Sequence, residues 1–208
     1  MPPTEPAPRA HWLKTLHQWH WISAAVCLFG MLLFSATGIT LNHAAQIESR
    51  PQVATRSVQL PAALHAALGD AVATAPTAPL PVALADWLGR ELAIELEGRP
   101  AEWSEEELYV SLPRPGGDAW LRIDRASGAV EYERSDRGWI SYLNDLHKGR
   151  HAGLAWSWFI DLFALACLVF SLTGLLILKL HAQRRPGTWP LVGLGLVLPL
   201  LLALLFIH

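Results

Sequence analysis

The sequence predicts an α-helical membrane protein: a bundle of three transmembrane helices with a small α+β domain inserted after the first helix. Two observations predict this class, namely three long apolar segments and a central region where apolar residues change from helical spacing to alternation. The expected boundaries are a disordered N-terminus at 1–15, transmembrane helices at 16–44, 146–181 and 191–208, the α+β domain at 45–145 and a loop at 182–190.

The first apolar segment has no charged side chain between Trp21 and Leu41. About 20 residues at a rise of about 1.5 Å match a hydrocarbon layer of about 30 Å, so this segment is expected to cross a membrane. It is too long for the apolar part of a cleaved signal peptide, and an uncleaved signal anchor is expected. The second segment, 153–180, is interrupted only by Asp161 and Lys179, and the third is uncharged.

The central region begins with a polar linker at 51–58 and two short amphipathic helices. Leu60, Leu64 and Leu68 recur at helical spacing in the first helix, and Leu84, Leu88 and Leu92 in the second. Period-two alternation then predicts three strands around residues 108–112, 119–123 and 130–132, joined by PRPGGD and DRASG turns. No catalytic constellation is recognisable in this domain, so no catalytic residue is predicted.

Charge indicates the orientation and excludes one class of partner. The formal net charge of −2 gives no basic surface for nucleic acid. Arg9 and Lys14 precede the first span, and Lys179, Arg184 and Arg185 close the second, so both flanks are expected in the cytoplasm by the positive-inside rule. The N-terminus would then be cytoplasmic and the α+β domain periplasmic, in a bacterial inner membrane.

Histidine is placed at the ends of the first two spans. His17 and His20 precede the first span and His43 follows it, while His147 and His151 precede the second and His181 follows it. Imidazoles from two antiparallel membrane helices are suited to hold haem iron. These six residues are therefore the candidate cofactor ligands, with His43 meeting His147 and His151 at one face and His17 and His20 meeting His181 at the other.

The number of haems stays open between one and two. His20 and His43 are 23 residues apart, roughly 35 Å along a straight helix. A pair of haems, one in each leaflet, is one alternative. A single periplasmic haem that receives electrons from a quinol or another protein is the other.

Other polar groups in the spans carry weaker indications. Asp161 could orient a ligand imidazole, relay protons or pair with Arg150. Cys27 and Cys167 are expected to be packing residues. Zinc or copper is less favoured than haem, because no carboxylate or thiolate completes a ligand set.

The chain resembles the PepSY-associated transmembrane family, especially its short three-helix members. The resemblance lies in LHQWHW with Thr37-Gly38, in the strand–turn–strand end of the soluble domain, and in LHKGRHAG with Thr173-Gly174. It implies an inner-membrane protein related to haem-b-containing ferric-siderophore reductases. Those larger members have four or more spans, so either one chain forms the whole bundle or two chains associate as a homodimer.

The function that follows is transmembrane electron transfer through haem b, with a ferric-siderophore reductase as the implied enzyme. Quinol or a cytoplasmic reductant would be the donor, and a ferric siderophore or a periplasmic protein the acceptor. The alternative is a PepSY-like binding or inhibitory module that is anchored in the lipid bilayer and has no redox activity.

Overall fold

A computed structural model describes residues 8–47, 50–70 and 76–207. Its helices are α1 (Pro8–Asn42), α2 (Ala62–Asp70), α3 (Val82–Leu92), α4 (Trp139–His147), α5 (Gly153–His181) and α6 (Thr188–Phe206). Its strands are β1 (Gln52–Gln59), β2 (Thr77–Pro79), β3 (Pro100–Trp103), β4 (Glu107–Ser111), β5 (Gly117–Asp124) and β6 (Ala129–Asp136).

Three helices are long and apolar enough to cross a membrane, which confirms the three predicted spans. They cover His11–Asn42, Gly153–Arg184 and Thr188–Phe206, with mean hydropathies of 2.0, 2.3 and 2.3. Helix α1 begins at Pro8, so residues 8–15 are helical rather than disordered, and residues 1–7 lie outside the described part of the chain.

The chain divides into two compact units. The helical unit contains the residues up to Leu33 and those from Trp158 onward, and the sheet unit contains Phe34–Ser157. The boundaries fall inside α1 and α5, so each of these helices contributes one end to each unit.

The sheet unit contains one antiparallel sheet of six strands in the order β1-β6-β5-β4-β3-β2. The alternating residues of β4 to β6 place Leu108, Val110, Leu121, Ile123 and Val130 in the core, each at most 1% exposed. Leucines of the two short helices, including Leu68, Leu84, Leu88 and Leu92, complete this core. Burial of one sheet face against α2 and α3 explains the observed alternation.

Three strands go beyond the predicted meander. The expected linker at 51–58 is strand β1, which pairs with β6 along its whole length, from Gln52 opposite Asp136 to Gln59 opposite Ala129. Nearly every residue of β1 is exposed, so this edge strand has no alternation that would reveal it. Strands β2 and β3 are short and also lie towards one edge of the sheet.

The segment expected as a single helix at 146–181 is two helices joined by a turn. Helix α4 ends at His147, and α5 begins at Gly153. Gly149, just after α4, and Gly153, the first residue of α5, adopt φ values of +66° and +80°, a left-handed backbone that interrupts a continuous helix and that glycine adopts at low cost. His151, at φ +55°, lies in this turn, so it does not share a helical face with His147.

Candidate histidine sites

His17 and His181 come together in the helical unit, as the sequence predicts. Their ring centroids are 6.4 Å apart, and the ring planes meet at 89°. His17 lies on α1 and His181 is the last residue of α5, and both side chains are exposed.

Each of these rings is oriented by its own helix. Nδ1 of His17 lies 2.8 Å from the carbonyl oxygen of Leu13, and Nδ1 of His181 lies 2.9 Å from that of Ile177. Because a carbonyl can only accept, Nδ1 carries the proton in both hydrogen bonds. Each neutral ring therefore keeps its lone pair on Nε2, the nitrogen that is left for a metal ion.

A cavity of about 480 Å³ lies beside this pair. It is lined by His17, Ile177, Leu178, His181, Arg184, Arg185 and Thr188. The cavity thus combines apolar side chains, two imidazoles and two guanidinium groups that can bind carboxylates.

His20 has different partners from the predicted ones. Its Nδ1 lies 3.0 Å from Oγ1 of Thr173 and 3.2 Å from the carbonyl oxygen of Phe170. Its ring stacks on Phe170 at 4.7 Å and 13°. A Cβ added at Gly174 would lie 3.2 Å from Cε1 of His20, so the ring packs directly against this glycine.

His147 repeats this arrangement in the sheet unit. Its Nδ1 lies 2.7 Å from Oγ1 of Thr37, and its ring centroid is 4.9 Å from that of Phe34. A Cβ at Gly38 would lie 3.6 Å from Cε1 of His147. Both histidines therefore contact a phenylalanine, a threonine and a glycine at the same spacing.

The residues that receive these histidines belong to a repeat in the sequence, FSATG at 34–38 and FSLTG at 170–174. The TG dipeptides carry the family resemblance, but the phenylalanines and the role of the threonines are not among the residues predicted from the sequence. The five-residue repeat was the signal that could have revealed them.

His43 and His151 are exposed residues of the sheet unit. Nδ1 of His43 lies 3.0 Å from the carbonyl oxygen of Ile39. The ring is therefore oriented by the carbonyl four residues earlier, as the rings of His17 and His181 are. Within the described part of the chain, no ring contact joins His43 to His147 or His151. Of the predicted set at one end, the structure thus brings together His17 and His181 but not His20, and within the described residues no ring contact joins His43 to its predicted partners.

Asp161 and Arg150, which the sequence suggests as an ion pair, lie in different units. Asp161 is exposed on α5 in the helical unit, and its carboxylate has no ion pair with the residues described there. Arg150 is exposed in the turn between α4 and α5, where its backbone N–H donates to the carbonyl of Asp145 at 2.9 Å.

The residues around His17 and His181 include the ligand type and the ring spacing that a bis-histidine haem requires. Iron–nitrogen bonds of about 2 Å place the two bound nitrogens about 4 Å apart and the ring centroids about 6 Å apart. The observed centroid distance of 6.4 Å agrees with this requirement. Arg184 and Arg185 are suited to the two propionates. The described residues contain no group of three or more His, Cys, Asp or Glu side chains placed to hold a metal ion, and a bis-histidine haem needs only two.

These features define a membrane protein in which spanning helices carry paired histidines and a six-stranded sheet domain is inserted after the first helix. The model of the family described as "Putative PepSY_TM-like" matches residues 11–208, and the chain belongs to this family. Comparison with curated proteins and with solved structures gave no match.

Proposed function

We propose that this protein is a haem-b-containing electron-transfer protein of a bacterial inner membrane. The observation that carries the proposal is the pair His17 and His181, at a centroid distance of 6.4 Å and with both Nδ1 atoms engaged by backbone carbonyls. In this proposal the N-terminus is cytoplasmic and the sheet domain is periplasmic.

The chemistry that haem supplies when bound is reversible one-electron transfer. His17 and His181 would hold the iron through Nε2, and the carbonyls of Leu13 and Ile177 would keep both rings in the required tautomer. Arg184 and Arg185 would neutralise the propionates. The donor would be quinol or a cytoplasmic reductant, and the acceptor a ferric siderophore or a periplasmic protein.

Visible absorption of the purified protein tests this function. We expect a reducible low-spin spectrum with Soret and α bands. We also expect His17→Ala and His181→Ala each to lose most of the haem at this site. His65→Ala is the matched control, because His65 lies in the sheet unit and bonds to the carbonyl of Arg125 at 2.9 Å. Full haem content in both His17→Ala and His181→Ala would show that these two histidines are not haem ligands.

The haem-to-protein ratio distinguishes one haem from two. If the ratio is two, we expect His43→Ala to lower it to one, and an unchanged ratio in that variant would remove His43 from the ligands. A folded but colourless wild-type protein would contradict the redox function and leave the anchored binding or inhibitory module.

A further inference from the structure

The two cysteines of the chain face each other in the helical unit, one on α1 and one on α5. One S–H group donates to the other sulfur, so the side chains of Cys27 and Cys167 are in direct contact, and both thiols are free. Cys27 is 0% exposed and Cys167 is half-buried. The sequence contains no other cysteine, so each thiol has a single possible partner within the chain.

The contacts around the cysteines show that α1 and α5 pack along a continuous seam. Buried and half-buried side chains recur three or four residues apart on both helices, the spacing of helices that pack side by side. His20 contacts Phe170 and Gly174 on one side of the cysteine pair, and Gly30 contacts Phe163 on the other. The cysteine pair therefore lies inside the seam, between two layers of contacts.

A glycine brings the two helices together beside the pair. Gly30 is three residues from Cys27, and a Cβ there would lie 2.7 Å from Cδ2 of Phe163, so α5 occupies the space that a side chain would fill. Small residues allow membrane helices to approach closely. A disulfide requires Cα atoms about 4.4–6.8 Å apart, so close approach at this level is the condition that an interhelical disulfide needs.

The surroundings favour a disulfide over a bound metal ion. Cys27 lies near the middle of the span His11–Asn42, and Cys167 lies near the middle of the span Gly153–Arg184. A metal ion would require both sulfurs as thiolates, and negative charge is costly in an apolar environment. A dithiol and a disulfide are both uncharged, so the seam can accommodate either state.

We propose that Cys27 and Cys167 are a redox-active pair, which a lipid-soluble quinone oxidises to a disulfide that joins α1 to α5. Two S–H bonds break and one S–S bond forms, while the two electrons and two protons reduce the quinone to its quinol. Quinones are terminal oxidants of protein dithiols in bacterial membranes, and a lipid-soluble oxidant is needed because both sulfurs lie at mid-span. The step requires no haem, so this inference is independent of the proposed function.

Thiol counting and peptide mapping on the full-length protein test the pair. The reduced protein, in phosphatidylcholine nanodiscs under nitrogen, is treated with decylubiquinone, denatured and labelled with a maleimide. We expect both thiols to be lost, one quinol to form per chain, and the tryptic peptides of α1 and α5 to be joined until dithiothreitol separates them. Ferricyanide, which does not enter lipid, should leave both thiols free.

Two variants provide the controls. Cys27→Ser keeps one thiol and should form no joined peptides. Cys167→Ser/Leu168→Cys moves the second thiol by one residue, to a position whose native side chain is 60% exposed, and should also remain unlinked. If this double variant links as fast as the wild type, the position of the thiol in the seam is irrelevant and the proposal is wrong.

Three further results would overturn the proposal. If the quinone leaves both thiols of the folded wild type free, the cysteines are packing residues, as the sequence predicts. If thiols are lost without joined peptides, the quinone ring has added to sulfur instead of oxidising it. If His17→Ala, which is expected to lose haem, links much more slowly than the wild type, the electrons pass through haem and the direct reaction with quinone is contradicted.

Discussion

Nδ1 of His147 lies 2.7 Å from Oγ1 of Thr37, and His20 and Thr173 form the corresponding pair at 3.0 Å. In the second pair, Oγ1 of Thr173 lies 2.7 Å from the carbonyl oxygen of Val169, to which it donates its proton. The hydroxyl therefore accepts from Nδ1–H of His20, and Nε2 keeps the lone pair. The second pair thus selects one tautomer of a histidine that the sequence places at the end of a membrane span.

The hydroxyl of Thr37 is expected to contribute measurably to stability. Thr37 is 5% exposed, and Thr37→Val keeps its shape while leaving the imidazole of His147 without this partner, a loss of about 1–2 kcal/mol. The free energy of unfolding of the full-length protein in detergent measures it. Thr55→Val, on the exposed strand β1, is the control and should change little. Equal effects of the two substitutions would contradict this role.

Gly30 is expected to be required for close packing of α1 in the helical unit. A Cβ at this position would meet Cδ2 of Phe163 at 2.7 Å and Cζ at 2.9 Å, too close for any real contact. Gly30→Val should therefore lower the midpoint of thermal unfolding. Gly193→Val, on α6, should not, because a Cβ there meets nothing within 4 Å.

A second substitution tests the cause. Phe163→Leu removes the ring, so the double variant Gly30→Val/Phe163→Leu should recover part of the loss. If the two substitutions instead add independently, the ring of Phe163 is not what excludes a side chain at position 30.

Gly116 is expected to tolerate alanine much less than Gly98 does. Both have a left-handed backbone, with φ +71° and +66°, so the two substitutions share a cost of about 1 kcal/mol for backbone strain. A Cβ at Gly116 would also lie 2.8 Å from Cα of Tyr142 and 2.9 Å from its backbone nitrogen, whereas one at Gly98 meets nothing within 4 Å.

The difference between the two alanine variants isolates this contact. We expect Gly116→Ala to lower the free energy of unfolding of the sheet unit in urea by about 1–3 kcal/mol more than Gly98→Ala does, because backbone atoms must shift. The measurement follows hydrogen exchange of the β4 to β6 amides of the full-length protein in urea, because this signal reports on the sheet itself. Similar losses in both variants would show that α4 moves freely away from Gly116.

Acidification is expected to weaken the turn between β5 and β6. Hydrogen bonds from the Ser127 hydroxyl and backbone N–H, both at 2.7 Å, hold the pKa of Asp124 below its ordinary value of 3.8. Since the pKa is lower in the folded state, this stabilisation is present above the unfolded pKa and is lost as the pH falls through the folded one.

Ser127→Ala removes the largest cause of that shift. Its urea midpoint should be below that of the wild type at neutral pH, and the gap should close as the pH falls below the ordinary pKa of Asp124. Ser57→Ala, an exposed residue of β1, is the control. A gap that does not change with pH would show that the hydroxyl acts through something other than the carboxylate.

The sequence predicted the parts of the fold that burial dictates. The spans follow from uninterrupted apolar residues, and β4 to β6 follow from alternation because one face of the sheet is covered. Strand β1 could not be predicted in this way, since QVATRSVQ is exposed and owes its structure to pairing with β6. The break between α4 and α5 depends on the backbone of Gly149 and Gly153, which are also compatible with a continuous helix in a membrane.

The sequence predicts which residue types form the candidate site, but not most of the contacts that they make. Histidines at the ends of the spans indicated ligands, and the pair His17 and His181 follows from two antiparallel helices that end at the same level. The partners of His20 are 150 and 153 residues away, at Phe170 and Thr173. Local patterns do not determine contacts at such separations, although the repeated FSxTG segments identify both receiving surfaces once they are compared.

Helix α4 links the sheet to the end of α1 through short contacts at several points. The carboxylate of Asp145 accepts from the backbone N–H of Gly116 at 2.9 Å, and the amide oxygen of Asn144 accepts from the hydroxyl of Thr40 at 2.8 Å. Tyr142 also packs against Gly116, and His147 against Thr37. The nine residues of α4 thus connect the β4–β5 turn to the imidazole of His147. One short helix therefore holds both the β4–β5 turn and the ring of His147, so a substitution that shifts α4 would disturb both.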